Sequence, residues 1–336
     1  MRVDAVTRAT FARRPQSSCV SQPVLIQARK VGMDNFILLV ACFVIGMLLR
    51  RSGRLPDNAH AALNGFVIHI SLPALTLLYV HDLKLDSSLL FPVAMAWVMF
   101  GVGFVFFKLV GRIWALPAGT IGALMLTGSL ANTSFIGLPM IETFYGSQDL
   151  ALGILIDQMG TYMVLSTLGI FVAALYGQGA GLSARAVGKK ILTFAPFIAF
   201  LVALLLIPVH YPDWFTGLLR RLGTTLVPLA LVSVGYQIQW SAIRGKLGEL
   251  SMGLGFKLVV APAIIALLFA GMLGARGEAI QVTIFEAAMA PQIGAAIVAV
   301  DHDLDPQLVT LMVGIGIPLS FLTLPLWWQF LKIIGA

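Results

Sequence analysis

Apolar residues dominate the chain from about position 35 to position 331, interrupted at intervals by short polar loops. A membrane-crossing helix needs about 20 apolar residues. Windows of that kind recur ten times, at roughly 35–49, 61–80, 88–107, 113–142, 150–176, 191–208, 217–240, 250–273, 279–300 and 306–331. The pattern predicts an all-α membrane protein of ten transmembrane helices. A soluble fold would need ten buried helices with almost no polar face, which excludes it. The fourth window breaks its own pattern. Its uncharged run from Ile113 to Ile141 carries NTSFIGLP, residues 132–139, in the middle. Asn132, Thr133 and Ser134 are polar, Gly137 is conformationally permissive and Pro139 has no N–H. At ~1.5 Å per residue the run is about 43 Å long, which leaves room for two half-helices and a turn.

Composition agrees with the pattern. Apolar residues make up 59% of the chain and charged residues 11%, with a mean hydropathy of +0.93; soluble domains carry about 25% charged residues. Cys19 and Cys42 allow at most one disulfide, and no Cys/His set has the spacing of a metal site. The net charge of +7 comes from short basic clusters between apolar runs, so it sets topology and does not point to nucleic acid. Basic residues concentrate after the first, third, fifth and seventh spans: Arg50, Arg51 and Arg54; Lys108 and Arg112; Arg185, Lys189 and Lys190; Arg244 and Lys246. The intervening loops hold fewer: Lys84, none, then Arg220 with Arg221, then Arg276. Positive loops stay inside, so the odd loops are expected to be cytoplasmic and both ends of the core external. The loop DHDLDP after span nine is acidic and has no basic residue to count. Residues 1–32 are Arg- and Ser-rich, and MDNFILLVACFVIGMLLRR reads as a fresh start. They are expected to be a disordered tail, or Met33 the native initiator.

Ten spans divide into 33–180 and 181–336, five helices each. An odd number per half inverts the second half relative to the first, the inverted-repeat plan of secondary transporters. A faint echo supports it: ISLPALTLLYV in span two against TLVPLALVSVG in span seven, with Pro73 near Pro228, and NTSFIG in span four against MAPQIG in span nine, with Gly137 on Gly294. Irregular backbone at membrane depth survives only where protein or a watery cavity satisfies it. Paired breaks at 132–139 and 289–294 therefore mark a substrate site, and half-helix N-termini favour an anion there. Pro73, Pro196, Pro228, Pro262 and Pro318 read as ordinary kinks. His69 reads as a satisfied interior histidine, Glu142 as interfacial, and Lys257 as a side chain snorkelling to the cytoplasmic interface.

Taken together, NTSFIGLP, ISLPAL, VPLALVSVG, KLVVAP and AMAPQIGAAIVA resemble the auxin efflux carrier family, which includes plant auxin exporters and bacterial permeases for malate, malonate and related acids. The resemblance runs from Met33 onward. It implies ten helices, a scaffold part and a transport part, and crossing broken helices four and nine. Asn132 and Pro139 match the crossover motif of span four, and Pro291 matches the crossover proline of span nine. It also implies a homodimer through spans one, two, six and seven. Glu286 departs from the plant pattern and resembles the distantly related sodium-coupled bile acid transporters.

The expected function is secondary active transport of small organic anions, mono- or dicarboxylates, in a bacterial inner membrane, with elevator-type alternating access. The substrate contacts expected are Asn132, Thr133, Ser134, Gly137, Pro139, Pro291, Gln292 and Ile293. A second carboxylate on the substrate would want a basic partner, for which Lys257 is the candidate within the spans. Asp157 and Glu286 are the deep carboxylates, each about two turns into its span, and burying a charge in lipid costs at least ~2.5 kcal/mol. With Gln158, Thr161, Asn132 and Gln292 they would supply oxygens for a coupling cation: sodium on Asp157 and Glu286, or a proton on one carboxylate. No other cofactor is expected. The alternatives are an uncoupled uniporter or channel, and an intramembrane hydrolase. No G-x-S-G, H-E-x-x-H or paired aspartates speak for a hydrolase, and no phosphate-binding loop G-x-x-x-x-G-K-[ST] for ATP drive.

Overall fold

The computed structural model describes residues 22–82, 89–177, 192–237 and 245–335, without the side chains of 22–36 and 82. The elements are helical: α1 Gln22–Ser52, α2 Ala59–Tyr79, α3 Leu90–Ile113 and α4 Ala118–Ser129, then α5, which opens as a wide turn Thr133–Gly137 and continues through Leu138–Phe144. They continue as α6 Ser147–Tyr176, α7 Ala195–Leu205, α8 Asp213–Gln237, α9 Leu247–Met272, α10 Glu278–Ala287, α11 Ile293–Asp301 and α12 Pro306–Ile334. Among the described residues, six helices are long and apolar enough to cross a membrane: α2, α3, α6, α8, α9 and α12. The window expected as span four is split into α4 and α5, and span nine into α10 and α11. The first helix begins at Gln22, upstream of Met33. The proposed repeat boundary near 180, and Lys84, Arg185, Lys189, Lys190 and Arg244 from the topology argument, lie outside the described residues.

Packing divides the helices into two groups. In one, α1 lies along α8, and α2 packs on α7 and α8. In the other, α3 packs on α4, α6 and α10, α4 on α6, α11 and α12, and α9 on α10 and α12. The groups meet where α5 packs on α1 and α8, and where α6 packs on α2 and α7. Glycine makes the α1–α8 contact close. A Cβ on Gly46 would collide with the Val232 carbonyl oxygen, and one on Gly235 with that of Phe43. Without a hydrophobic force between helices in lipid, such backbone-to-backbone approach is a main source of association.

Three prolines shape their helices in the same way. Pro73, Pro139 and Pro262 each follow a turn widened to i→i+5 spacing, Val67–Ser71, Thr133–Gly137 and Phe256–Val260. A proline has no N–H for the carbonyl four residues back, and a wide turn relieves the clash. For Pro262 that carbonyl is Leu258, and the indole Nε1 of Trp327 in α12 donates to it at 2.8 Å.

The short connection between α11 and α12 is pinned by Asp305, the N-cap of α12, whose backbone is left-handed at φ 42°. Its Oδ1 accepts the Leu308 N–H at 3.3 Å, and its Oδ2 accepts from Thr120 of α4 at 2.6 Å and from Lys246, just before α9, at 2.7 Å. Burial pushes the carboxyl's pKa up, but the hydrogen bonds from Lys246, Thr120 and Leu308 and the ammonium charge outweigh it and hold the group below the usual carboxylate range.

Two outcomes follow. Gly235→Leu overpacks the α1–α8 contact and should cost about 1–3 kcal/mol, read as a lower unfolding temperature in detergent; an unchanged temperature would contradict the close approach. Because the Asp305 pKa is depressed in the fold, its stabilisation is present above the unfolded value of about 4 and is lost as pH falls through the folded value. Lys246→Met should therefore cost about 0.5–1 kcal/mol at neutral pH, and its gap to wild type should close below about pH 4. A gap independent of pH would contradict this.

Candidate functional site

The two chain breaks meet each other. Ala131 lies opposite Pro291 in an antiparallel bridge. The Asn132 N–H donates to the Ala290 carbonyl at 2.8 Å, and the Gln292 N–H donates to the Leu130 carbonyl at 3.2 Å. Leu130 and Gln292 are extended, at φ −109° ψ 133° and φ −74° ψ 129°. Each break thus satisfies backbone groups of the other where water is scarce. Pro291 needs no donor of its own. It rests on Gly316 of α12, where a Cβ would come within 2.6 Å of the proline ring. Two helices, α5 and α11, therefore start at the crossing, and two, α4 and α10, end there.

Asn132 is the N-cap of α5. Its Oδ1 accepts the Phe135 N–H at 3.1 Å, while its Nδ2 is buried without a partner. The next two hydroxyls reach across to α6: Thr133 and Ser134 donate to Asp157 Oδ1 at 2.5 and 2.6 Å. Gln158 donates to the other oxygen at 2.7 Å. Asp157 sits in a wide turn, Ile156–Thr161, and is 3% exposed. Three donors on one carboxylate compensate much of its desolvation. The Oε1 of Gln158, Oγ1 of Thr161 and Oε1 of Gln292 are buried with no partner, which leaves acceptor capacity beside Asp157 and the crossing.

Glu286, in the last turn of α10, is fully buried and neither of its oxygens has a hydrogen-bond partner. It presses on Gly137: a Cβ there would lie 2.5 and 2.6 Å from the two oxygens, and one on Gly153 of α6 would lie 3.6 Å from Oε1. Thr133, which holds Asp157, and Gly137, which faces Glu286, are four residues apart on α5, about 6 Å of helix rise. The two carboxylates thus sit one turn apart along the α5–α6 contact, since Glu286 also lies against Gly153, four residues before Asp157 on α6. The snorkelling expected of Lys257 is overturned. Lys257 is 0% exposed, and its ammonium donates to the Ala287 carbonyl at 2.8 Å. There it caps the C-terminal end of α10, where a helix leaves carbonyls unpaired and favours a cation.

A cavity of about 250 Å³ opens beside the crossing. Asn132, Ser134, Asp157 and Gln292 supply its polar wall; Phe135 and Ile293 lie among its apolar residues, and Asp301 is exposed at its rim. Of the expected contacts, Asn132, Ser134, Gln292, Ile293 and Asp157 line it. Thr133, Gly137, Pro139, Pro291, Gln158, Thr161 and Glu286 do not: Thr133 is turned to Asp157, Gly137 to Glu286 and Pro291 to Gly316. Sequence reasoning missed Tyr162 and Phe194, which stack at 4.2 Å between centroids in the wall, and Asp301. Aromatic residues inside apolar runs carry no signal of their own; Asp301, placed in a loop by its acidic neighbours, ends α11 instead.

The chain matches the family model described as membrane transport protein over residues 31–328. It is 28% identical over 302 residues to an uncharacterized transporter of Methanothermobacter thermautotrophicus, covering 88% of this chain and 98% of the relative. It is 24% identical over 312 residues to an uncharacterized transporter of Methanocaldococcus jannaschii, covering 90% of this chain and all (100%) of the relative.

Proposed function

The chain belongs to the membrane transport protein family, the auxin efflux carriers, and from that premise we propose that it is a cation-coupled secondary transporter of small organic anions. The observation that carries this reading is the attachment of Asp157 to the first turn of α5 through Thr133 and Ser134. That turn starts a half-helix whose N–H groups and dipole favour an anion. Among the described residues, the cavity beside it is lined by carboxylates and by no lysine, arginine or histidine. An anion there meets Asp157 without a compensating charge unless a cation comes with it. The unpartnered oxygens of Gln158, Thr161 and Gln292 add hard ligands for sodium, and a proton on Asp157 would serve the same balance. Glu286, one turn further along the α5–α6 contact, is the second carboxylate of the proposed cation region.

Ten spans in two inverted five-helix repeats account for the two breaks and for the half-length α4, α5, α10 and α11. The packing supports an elevator: α3–α6 with α9–α12 as the moving body, and α1, α2, α7 and α8 as a scaffold through which a homodimer would form. Integral membrane placement follows from the family and the apolar helices; a bacterial inner membrane with an external start and end of the core is part of the proposal. Nothing in this reading calls for catalysis.

Reconstituted in proteoliposomes, the full chain should take up a small carboxylate faster when a sodium or proton gradient is imposed. Asn132→Ala should lower uptake about tenfold or more while the protein still reaches the membrane, since it removes both a cap and a cavity donor. Asp157→Asn should leave residual uptake that ignores the gradient. Gradient-independent flux at channel speed in wild type, or wild-type coupling in Asp157→Asn, would overturn the reading.

A further inference from the structure

Half-helix α11 stands between two clefts. The cavity at the crossing lies on one side. A second cleft of about 240 Å³ lies on the other, walled by α8 and α12 through residues such as Val234, Val313 and Ile317. Ile293, Ile297 and Asp301 belong to both. Asp301, the last residue of α11, is exposed; among the described residues the charged side chains are Asp157 and Asp301 in the first lining and Asp301 in the second. Lys246 is paired with Asp305, and Lys257, buried against the Ala287 carbonyl, lines neither cleft. Among the described residues, neither lining holds a lysine, arginine or histidine to receive a second carboxylate of a substrate.

The position of Asp301 is not explained by the helix that carries it. A negative side chain at a helix C-terminus opposes the dipole, where a lysine or arginine would stabilise. Asp305, four residues on, already does the local structural work by capping α12. What Asp301 does have is access to both faces of α11, at the rim that leads to Asn132 and Gln292.

We propose that Asp301 is a specificity-determining residue that limits the substrate to carboxylates with a single negative charge. This rests on the organic-anion reading and narrows it. A monocarboxylate accompanied by one cation passes the rim with its charge balanced. A dicarboxylate brings a second negative charge past Asp301 and toward Asp157, and among the described residues no basic group of either lining meets it. Because Asp301 is exposed, its field is screened by salt, whereas the buried half-helix starts are screened much less.

The test uses butyrate and succinate, matched in carbon number, as the probes. Initial uptake of each is measured with the full chain in proteoliposomes under an imposed cation gradient, for wild type, Asp301→Asn and Asp301→Lys. The readout is the ratio of succinate to butyrate, which does not depend on how much of each variant folds. Wild type should favour butyrate. The ratio should rise about tenfold in Asp301→Asn and further in Asp301→Lys, and inert salt should narrow the wild-type preference. A wild type that carries both acids equally or prefers succinate overturns this inference alone, as does a ratio unchanged in both variants. Uptake of neither acid overturns the organic-anion reading and this inference with it.

Discussion

The structure turns on two backbone hydrogen bonds at membrane depth, Asn132 N–H to Ala290 and Gln292 N–H to Leu130. An unpaired peptide group in hydrocarbon costs several kcal/mol, so a single interrupted helix would be unstable there. Two interruptions that pair with each other remove that cost. The pairing also forces four helix ends together. Two are N-terminal and favour negative charge; two are C-terminal and favour positive charge. Lys257 sits at one C-terminal end, bonded to Ala287, and the cavity with Asn132 and Gln292 sits at the N-terminal ends.

From that crossing the placement of the carboxylates follows. The wide turn Thr133–Gly137, set by Pro139 two residues later, presents Thr133 and Ser134 to Asp157 and the bare Cα of Gly137 to Glu286. One short turn of chain therefore links an anion-favouring helix start to two buried acids. A cation held on the acids and an anion held at the helix start would share the same backbone, which gives coupling a physical route that needs no distant relay.

Much of this is legible in the sequence, and the reason is contrast. Asn132, Pro139 and Pro291 stand out because they interrupt apolar runs, and Asp157 and Glu286 because charge is costly there. The breaks stand out by the same contrast, whereas the pairing of span four with span nine rests on the faint echo of NTSFIG in MAPQIG and on the resemblance to the auxin efflux carriers. What could not be read was direction. Lys257 looked like a snorkelling side chain because its distance from the end of its helix was visible while the carbonyl of Ala287 was not. Asp157 and Glu286 are grouped in the sequence reading because their depths match; the structure places both where α5 meets α6, one turn apart, with Asp157 on the cavity and Glu286 off it. The Tyr162–Phe194 stack joins residues from helices far apart in sequence, and nothing local announces it.

The central claim is that an anion at the crossing and a cation near Asp157 are bound together. Its most direct measurement is calorimetric binding of butyrate to the detergent-purified chain, titrated against sodium at fixed pH and against pH at fixed sodium. The account predicts that one of the two ions tightens butyrate binding, and that butyrate tightens binding of that ion by the same factor, as linkage requires. Butyrate affinity indifferent to both sodium and pH would contradict it.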